Sequence, residues 1–461
     1  MLNFNPGYNT FDYDSYSMQL EDPEKANLYR DIFPYAEAPR IGFNHRLVPM
    51  RMPSQIWITD TTFRDGQQSM PPYSVKQVVD LYKMLHRLGG PRGIIRQAEF
   101  FLYTRKDKEA IEQVMSLGYA YPEITGWIRA NKKDMALARS MGLKETGILT
   151  SCSDYHIFLK LRKSRKEAMD SYLQVVRDAI EAGITPRCHF EDATRADFYG
   201  FVVPFAHELM KLAADSKTVI KIRVCDTLGL GVPYPGVAMP RSVPGTIYGL
   251  AYYAGVPSER MEWHGHNDLH LVTANAVTAW LYGCCAANGT ILGIGERTGN
   301  PPIEGLILSY LQLRGNDAQI DTSVISEIAE YFQKDLRYVI PPNTPLVGSD
   351  FNLTRAGIHA DGLLKNEEIY NVFDTAKLLK RPVSVAVTDK SGLAGIVFWI
   401  HTKIGRGAAS LTKDHAGVRK INEWIIQEYE DGRTTSISDV EMMQQVRLNL
   451  RDWLEESGFE V

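Results

Sequence analysis

From about residue 55 the sequence alternates short β-branched runs with amphipathic helical stretches, a pattern open to very few architectures. The first run is IWITD, residues 56–60. In the stretch that follows, SVKQVVDLYKMLHRLGG (74–90), Ser74 and Gln77 have the spacing of a capping box. Val75, Val78, Val79, Met84 and Leu85 recur at helical intervals, and Gly89 and Gly90 stop the helix. Further strands read GIIRQAEFF, AYPEIT, ETGILTS, TPRCHF, VIKIRVCD, MEWHGH and TILGI, separated by helical stretches such as KEAMDSYLQVVRDAIEAG and LVTANAVTAWLYGCCAANG. Eight such units over roughly residues 55 to 315 fit an α/β fold of the TIM (β/α)8 type better than a doubly wound sheet of five to seven strands. The expected organisation is an N-terminal extension (1–54), a barrel (55–318) and a mainly helical C-terminal region (319–461).

In such barrels the chemistry sits at the C-terminal strand ends. Those ends carry Asp60 to Gln68, Glu99, Thr125 to Arg129, Ser153 to His156, His189 and Glu191, Asp226 and Thr227, His264 and His266, and GIGERTGN (293–300). In HGHNDLH (264–270), His264 and His266 share one face of an extended segment, roughly 6 to 7 Å apart along the backbone. That geometry can hold a metal ion, although a histidine pair also serves as a hydrogen-bonded core element. A charged fraction of 23% and a formal charge of −4 give no basic excess for nucleic acid. No segment reaches eighteen apolar residues and the N-terminus has no leader pattern, so a cytoplasmic, non-membrane location is expected. The five cysteines follow no C-x-x-C spacing and read as free thiols, with Cys188 and Cys225 expected near the pocket and sensitive to thiol reagents.

DTTFRDGQQS after the first strand, HGHND after the seventh and GIGERTGN after the eighth together resemble the DRE-TIM metal-dependent acyl synthases, which include isopropylmalate, citramalate, homocitrate and Re-citrate synthases. The resemblance covers roughly residues 55 to 375. It implies a divalent cation (Mn²⁺ or Co²⁺ favoured, Mg²⁺ or Zn²⁺ allowed) on Asp65, His264, His266 and Asn300, and acetyl-CoA as co-substrate. It further implies that Arg64 stabilises charge on the carbonyl oxygen of a 2-oxo acid, that Thr227 holds its carboxylate, and that Gln68, Glu99 and Glu191 line the pocket. GIHADGLLKNEEIY (357–370) resembles the family's C-terminal catalytic segment. By that likeness His359 and Tyr370 join Glu191 in moving protons, and the chain is a homodimer. The basic run LKLRKSRK (159–166) is open to two readings, a solvated helix start or a landing site for the phosphates of coenzyme A.

Other branches of the family fit less well. The place of the carboxyltransferases' modified lysine holds Cys225, and GERTGN lacks the cysteine that hydroxymethylglutaryl-CoA lyases need. The homocitrate synthases' strand-three histidine aligns with Trp127, which shortens the pocket, while Arg187 and His189 remain for a carboxylate nearer the metal. Oxaloacetate has that shape, and FDTAKLLKRPVSVAVTDKSGLAGI (373–396) with the long N-terminal extension also resembles the Re-citrate branch. The expected reaction is condensation of acetyl-CoA with oxaloacetate. Homocitrate or isopropylmalate synthesis is the nearest alternative, and a non-catalytic metal-dependent oxo acid binder is the alternative of a different class.

Overall fold

The computed structural model describes residues 2–5, 10–13, 16–404 and 411–456. Two compact units divide the chain, Met1–Ile320 and Asp321–Val461. The first is a closed barrel of eight parallel strands: β1 Trp57–Asp60, β2 Ile95–Phe100, β3 Glu123–Arg129, β4 Glu145–Ser151, β5 Thr185–Glu191, β6 Lys221–Asp226, β7 Met261–Gly265 and β8 Ala286–Gly289. Strand β8 closes on β1 through the register Ala286↔Trp57 to Gly289↔Asp60.

Three elements differ from the sequence expectation. The eighth strand is Ala286–Gly289, not TILGI, whose Ile291–Gly293 forms a 3₁₀ turn with Leu292 at φ 55°. The preceding helix accordingly stops at Tyr282, where Gly283 adopts φ 123°. The third strand runs on through Trp127 to Arg129. The displaced eighth strand and the shortened helix before it have one cause: CCAANG is small and weakly β-branched, so tertiary pairing, not propensity, makes part of it a strand. Helix Val75–Leu88 has the expected capping box at Ser74 and Gln77. Its buried face is Val78, Leu81, Tyr82, Leu85 and Leu88, whereas Val75, Val79 and Met84 are only half-buried.

Strand alternation separates two layers. Outward residues such as Ile58, Ile95, Ile148, Phe190, Ile222 and Trp263 pack under the helices and are fully buried. Inward residues are polar: Thr59, Gln97, Glu99, Thr125, Glu145, Arg187, His189, Arg223 and Glu262 are all buried. A barrel is ordinarily filled with branched apolar side chains. Here the filling is a set of ion pairs, with Arg187 on Glu99 (2.6 Å) and Glu145 (3.0 Å), and Arg223 on Glu99 and Glu262 (2.9 Å each). Gly147 in β4 makes room for it, because a Cβ there would stand 2.4 Å from His189 Nε2 and 3.0 Å from Glu99 Oε2.

The N-terminal segment lies against this barrel. Phe43 bridges Val237, the Asn27 amide donates to Asp154 (2.8 Å), and Arg165 donates to the Glu21 carbonyl (3.2 Å). The second unit is mainly helical, with Ile396, Ile400, Val418, Ile421, Met442, Val446 and Leu454 in its core. Among the described residues no helix is long and apolar enough to cross a membrane.

Candidate functional site

Asp65, just beyond β1, and His264 and His266, at the end of β7, bring one ligand atom each within 4.8 Å of one another, and all three are buried. Their neighbours fix their chemistry. Asn288 donates through Nδ2 to the Thr59 hydroxyl (2.9 Å), so its Oδ1 faces His264 Nδ1 as an acceptor at 2.7 Å. The His264 proton therefore sits on Nδ1, and the lone pair of Nε2 points at Asp65 Oδ2, 3.4 Å away. Burial pushes His264 down to about 3 and also lowers His266, so both rings are neutral. Burial alone would raise Asp65, but the Arg64 guanidinium, with the Asn300 amide donating to it, holds its carboxyl below the usual carboxylate range. An imidazole lone pair facing a carboxylate at this distance is unfavourable without a cation between them, so the residues fit a divalent ion. Asn300 adjoins Asp65. Its Nδ2 donates to Asp65 (3.0 Å) and to the Gly265 carbonyl (3.3 Å), so the amide orients Asp65, and its Oδ1 is buried without a partner.

Arg64 stands beside this cluster. Its Nε donates to Glu99 (2.9 Å), its NH1 lies 3.6 Å from Asp65, and its guanidinium lies over the Trp127 ring at 5.5 Å. Trp127 in turn meets Phe101 and Tyr103 edge-on, forming an aromatic wall at the ends of β2 and β3. Burial would raise Glu99, yet Arg223, Arg64 and Arg187 hold it well below the carboxylate range. Arg187 is 1% exposed, and all five of its donors are committed to His189, Gln97, Glu145, Glu99 and Thr125. His189 is equally buried and held neutral, by burial first and then by Arg223. These two residues thus lie in the ion-paired barrel filling, with Arg187 fixing the acids that fix Arg64.

The opposite side of the rim is built by β4 to β6. Glu191 bonds the Ser151 hydroxyl and His156 Nδ1 (3.1 Å), with Lys160 at 3.6 Å. Burial raises its carboxyl, but the His156 contact outweighs this and brings it to about 2. A carboxyl that acidic takes up a proton poorly, so Glu191 is better suited to orienting His156 than to acting as a base. The Thr227 hydroxyl accepts the Asp192 amide at 2.8 Å, which leaves its own proton to donate. Arg297 spans Asp268 (2.8 Å) and the Thr227 carbonyl, tying the loops after β6 and β8 together. Gln68 is exposed in the turn Gly66–Gln68.

His359 and Tyr370 lie in the second unit, their rings 4.4 Å apart, with His359 Nδ1 3.2 Å from the Thr354 hydroxyl. Gly362 permits this, since a Cβ there would stand 2.6 Å from the Tyr370 ring. The basic run is in part a solvated helix start, with Ser164 capping the helix Arg165–Glu181 and Lys160, Arg162 and Lys166 exposed. Arg165 is 1% exposed and paired with Asp154 (2.8 Å) and Asp197 (3.1 Å), and Lys160, Lys163 and Lys166 hold Glu191, Ser171 and Asp170. All five cysteines are free and buried, and burial raises their thiols. Cys188 faces the helix layer, since its neighbours Arg187 and His189 point inward, so its expected place at the pocket is corrected.

Asn288, Arg223 and Glu262 belong to the site's framework but were not singled out from the sequence, and His156 was placed at the rim without a role. Asn288 was hidden by the misplaced eighth strand. The other three were signalled by inward strand positions and by the polar rim, but only three-dimensional pairing shows what they hold.

Residues 55–332 match the HMGL-like family. The chain belongs to that family. Citrate (Re)-synthase of Syntrophus aciditrophicus is 55% identical over 451 residues, 97% of this chain and 72% of that protein. Citrate (Re)-synthase of Clostridium kluyveri is 55% identical over 429 residues, 93% of this chain and 95% of that one. 2-Phosphinomethylmalate synthase of Streptomyces hygroscopicus is 35% identical over 426 residues, 91% of this chain and 96% of that protein.

Proposed function

We propose that this chain is a divalent-cation-dependent acyltransferase that condenses acetyl-CoA with oxaloacetate, releasing citrate and CoA. The observation that carries this reading is the buried Asp65, His264 and His266 cluster beside Arg64, in a chain 55% identical over nearly its full length to two citrate (Re)-synthases. A cation on those residues, Mn²⁺ or Co²⁺ by preference and Mg²⁺ or Zn²⁺ as alternatives, supplies Lewis-acid polarisation of the oxo acid carbonyl.

The chain's own side chains do the rest. Arg64, pre-set by Glu99 at 2.9 Å, meets the negative charge that develops on the carbonyl oxygen and needs no reorganisation to do so. The Thr227 hydroxyl donates to the substrate carboxylate, with Gln68 at the open edge. Arg187 and His189 act by holding Glu99, and through it Arg64, in register for a short dicarboxylate. The Trp127 wall limits substrate length, which suits a four-carbon oxo acid. Removing a methyl proton from the acetyl thioester needs a base. We assign proton handling to Glu191 acting through His156, and to His359 with Tyr370. The working form in this reading is a cytoplasmic homodimer whose C-terminal region (319–461) contributes to catalysis.

The test is CoA release from acetyl-CoA with Mn²⁺, offering oxaloacetate, 2-oxoglutarate, 2-oxoisovalerate and pyruvate separately, with a chelator control. Chelator-sensitive release with oxaloacetate, together with citrate as product, supports the assignment. Preference for another oxo acid overturns the substrate and keeps the chemistry. No release with any of them, with oxo acid binding unaffected by His359→Ala and Tyr370→Phe, makes the chain a binding protein.

A further inference from the structure

The N-terminal segment and the loops after β4, β5 and β6 enclose a second cavity of about 500 Å³. Two features set it apart from the catalytic cluster. Its wall is aromatic, with Phe33, Tyr35 and Tyr155, and it gathers three arginines, Arg30, Arg195 and Arg241. Glu37 is the acid among its lining residues, and that carboxylate already faces Arg40 at 3.3 Å.

Arg241 is the informative group. It is 6% exposed, its Nε is buried without an acceptor, and among the described residues no carboxylate forms an ion pair with it. Burial pulls its guanidinium down to about 10. The acid that acts on it most strongly is Asp226, whose oxygens are taken by the Thr194 hydroxyl and the amides of Leu230 and Gly231, and Asp192, which acts on it less, is paired with Arg195. The Phe33 ring covers the guanidinium at 4.4 Å, and a ring on the face leaves the in-plane N–H donors unused. A buried arginine without an acceptor is costly, and an anionic ligand would relieve that cost.

The remaining wall suits a flat ring. Arg195 lies over Tyr155 at 4.0 Å and Arg30 over both Tyr155 and Tyr35 at 5.5 Å, while Tyr35 itself is 88% exposed at the cavity's edge. A planar base laid against Tyr35 and the arginine planes would cover that surface, and the volume falls within the usual range for small-molecule sites.

We propose that this cavity binds an adenine nucleotide, with phosphate on Arg241, beside Arg195 that Asp192 already pairs at 2.8 Å, and the base against Tyr35 and Arg30. Such a group has two sources, the nucleotide end of coenzyme A or a free adenine nucleotide. The site goes beyond the proposed reaction, and its binding is read without turnover, so it stands or falls separately from the choice of oxo acid.

The experiment is calorimetric titration of the full chain with adenosine 3′,5′-bisphosphate, ADP, CoA and pantetheine. Wild type binds at least one adenine ligand at sub-millimolar concentration and does not bind pantetheine alone. Arg241→Gln weakens that binding about tenfold and Arg241→Lys recovers part of it. Arg30→Gln, at an exposed position that does not threaten folding, weakens it about threefold. Competition between the bisphosphate and CoA, with a raised KM for acetyl-CoA and unchanged kcat in Arg241→Gln, identifies the coenzyme's nucleotide end. ADP binding that leaves CoA binding untouched identifies a free nucleotide. No binding of any adenine ligand by wild type at millimolar concentration overturns the proposal, as does equal affinity in wild type, Arg241→Gln and Arg30→Gln.

Discussion

Replacing Glu99 with glutamine removes one negative charge from the centre of the barrel and leaves three arginines facing a neutral amide. In the native arrangement Oε1 accepts from Arg64 Nε (2.9 Å), Arg223 NH1 (2.9 Å) and Thr61 (3.1 Å), and Oε2 accepts from Arg187 NH2 (2.6 Å). Each hydrogen bond to a charged group contributes about 1.5–3 kcal/mol, but the bonds share one carboxylate and do not add. Removing one partner from a buried ion pair costs about 3–5 kcal/mol, a large part of the roughly 5–15 kcal/mol that holds a domain folded. At roughly 2–4 °C per kcal/mol, the barrel of Glu99→Gln should melt roughly 6–20 °C below wild type, followed by circular dichroism. Glu330→Gln, which removes the carboxylate from an exposed pair with Lys334, is the control and should stay within about 2 °C. A second readout is independent of folding. Released from Glu99, Arg64 swings toward Asp65, already 3.6 Å away, and competes with the cation, so Mn²⁺ affinity should fall about tenfold. Melting within about 2 °C of wild type together with unchanged Mn²⁺ affinity would refute the claim that this carboxylate organises both the barrel filling and Arg64.

Trp127→His opens the aromatic wall and places a cationisable ring in it, so the kcat/KM ratio for 2-oxoglutarate over oxaloacetate should rise at least about tenfold. The same ratio in variant and wild type would remove Trp127 from substrate selection. Glu191 has its carboxyl lowered from about 4.5 to about 2, so its contribution is full above pH 4.5 and is lost as pH falls toward 2. The shift corresponds to about 3 kcal/mol at most, and the acid limb of wild-type stability should flatten in that window in Glu191→Gln. Because all five cysteines are buried with raised thiols, a thiol reagent should modify fewer than one per native chain and all five after denaturation. Rapid native modification of Cys225 would show that the pocket opens further than this structure does.

Much of the site was legible before any coordinates. The βα period and the shared face of His264 and His266 follow from local patterns: strand alternation sets which side chains share a face, and a barrel brings strand ends to one rim, while Asp65 and Arg64 were placed with them by the resemblance of DTTFRDGQQS to the acyl synthases. Period and rim say nothing, however, about which inward residue meets which across the barrel. Asn288 fixing the tautomer of His264, Arg187 being consumed by four barrel strands, and Glu191 being acidified by His156 are all cross-strand pairings between residues far apart in sequence. The eighth strand shows the same limit, because Ala286–Gly289 pairs only when β7 and β1 offer it two edges. The sequence by itself determined the architecture and the chemical types at the rim, since both depend on periodicity and side-chain identity. Only the tertiary structure decided protonation, orientation and which cations lack a partner, as with Arg241, because these depend on burial and on distances between strands that the chain order does not encode.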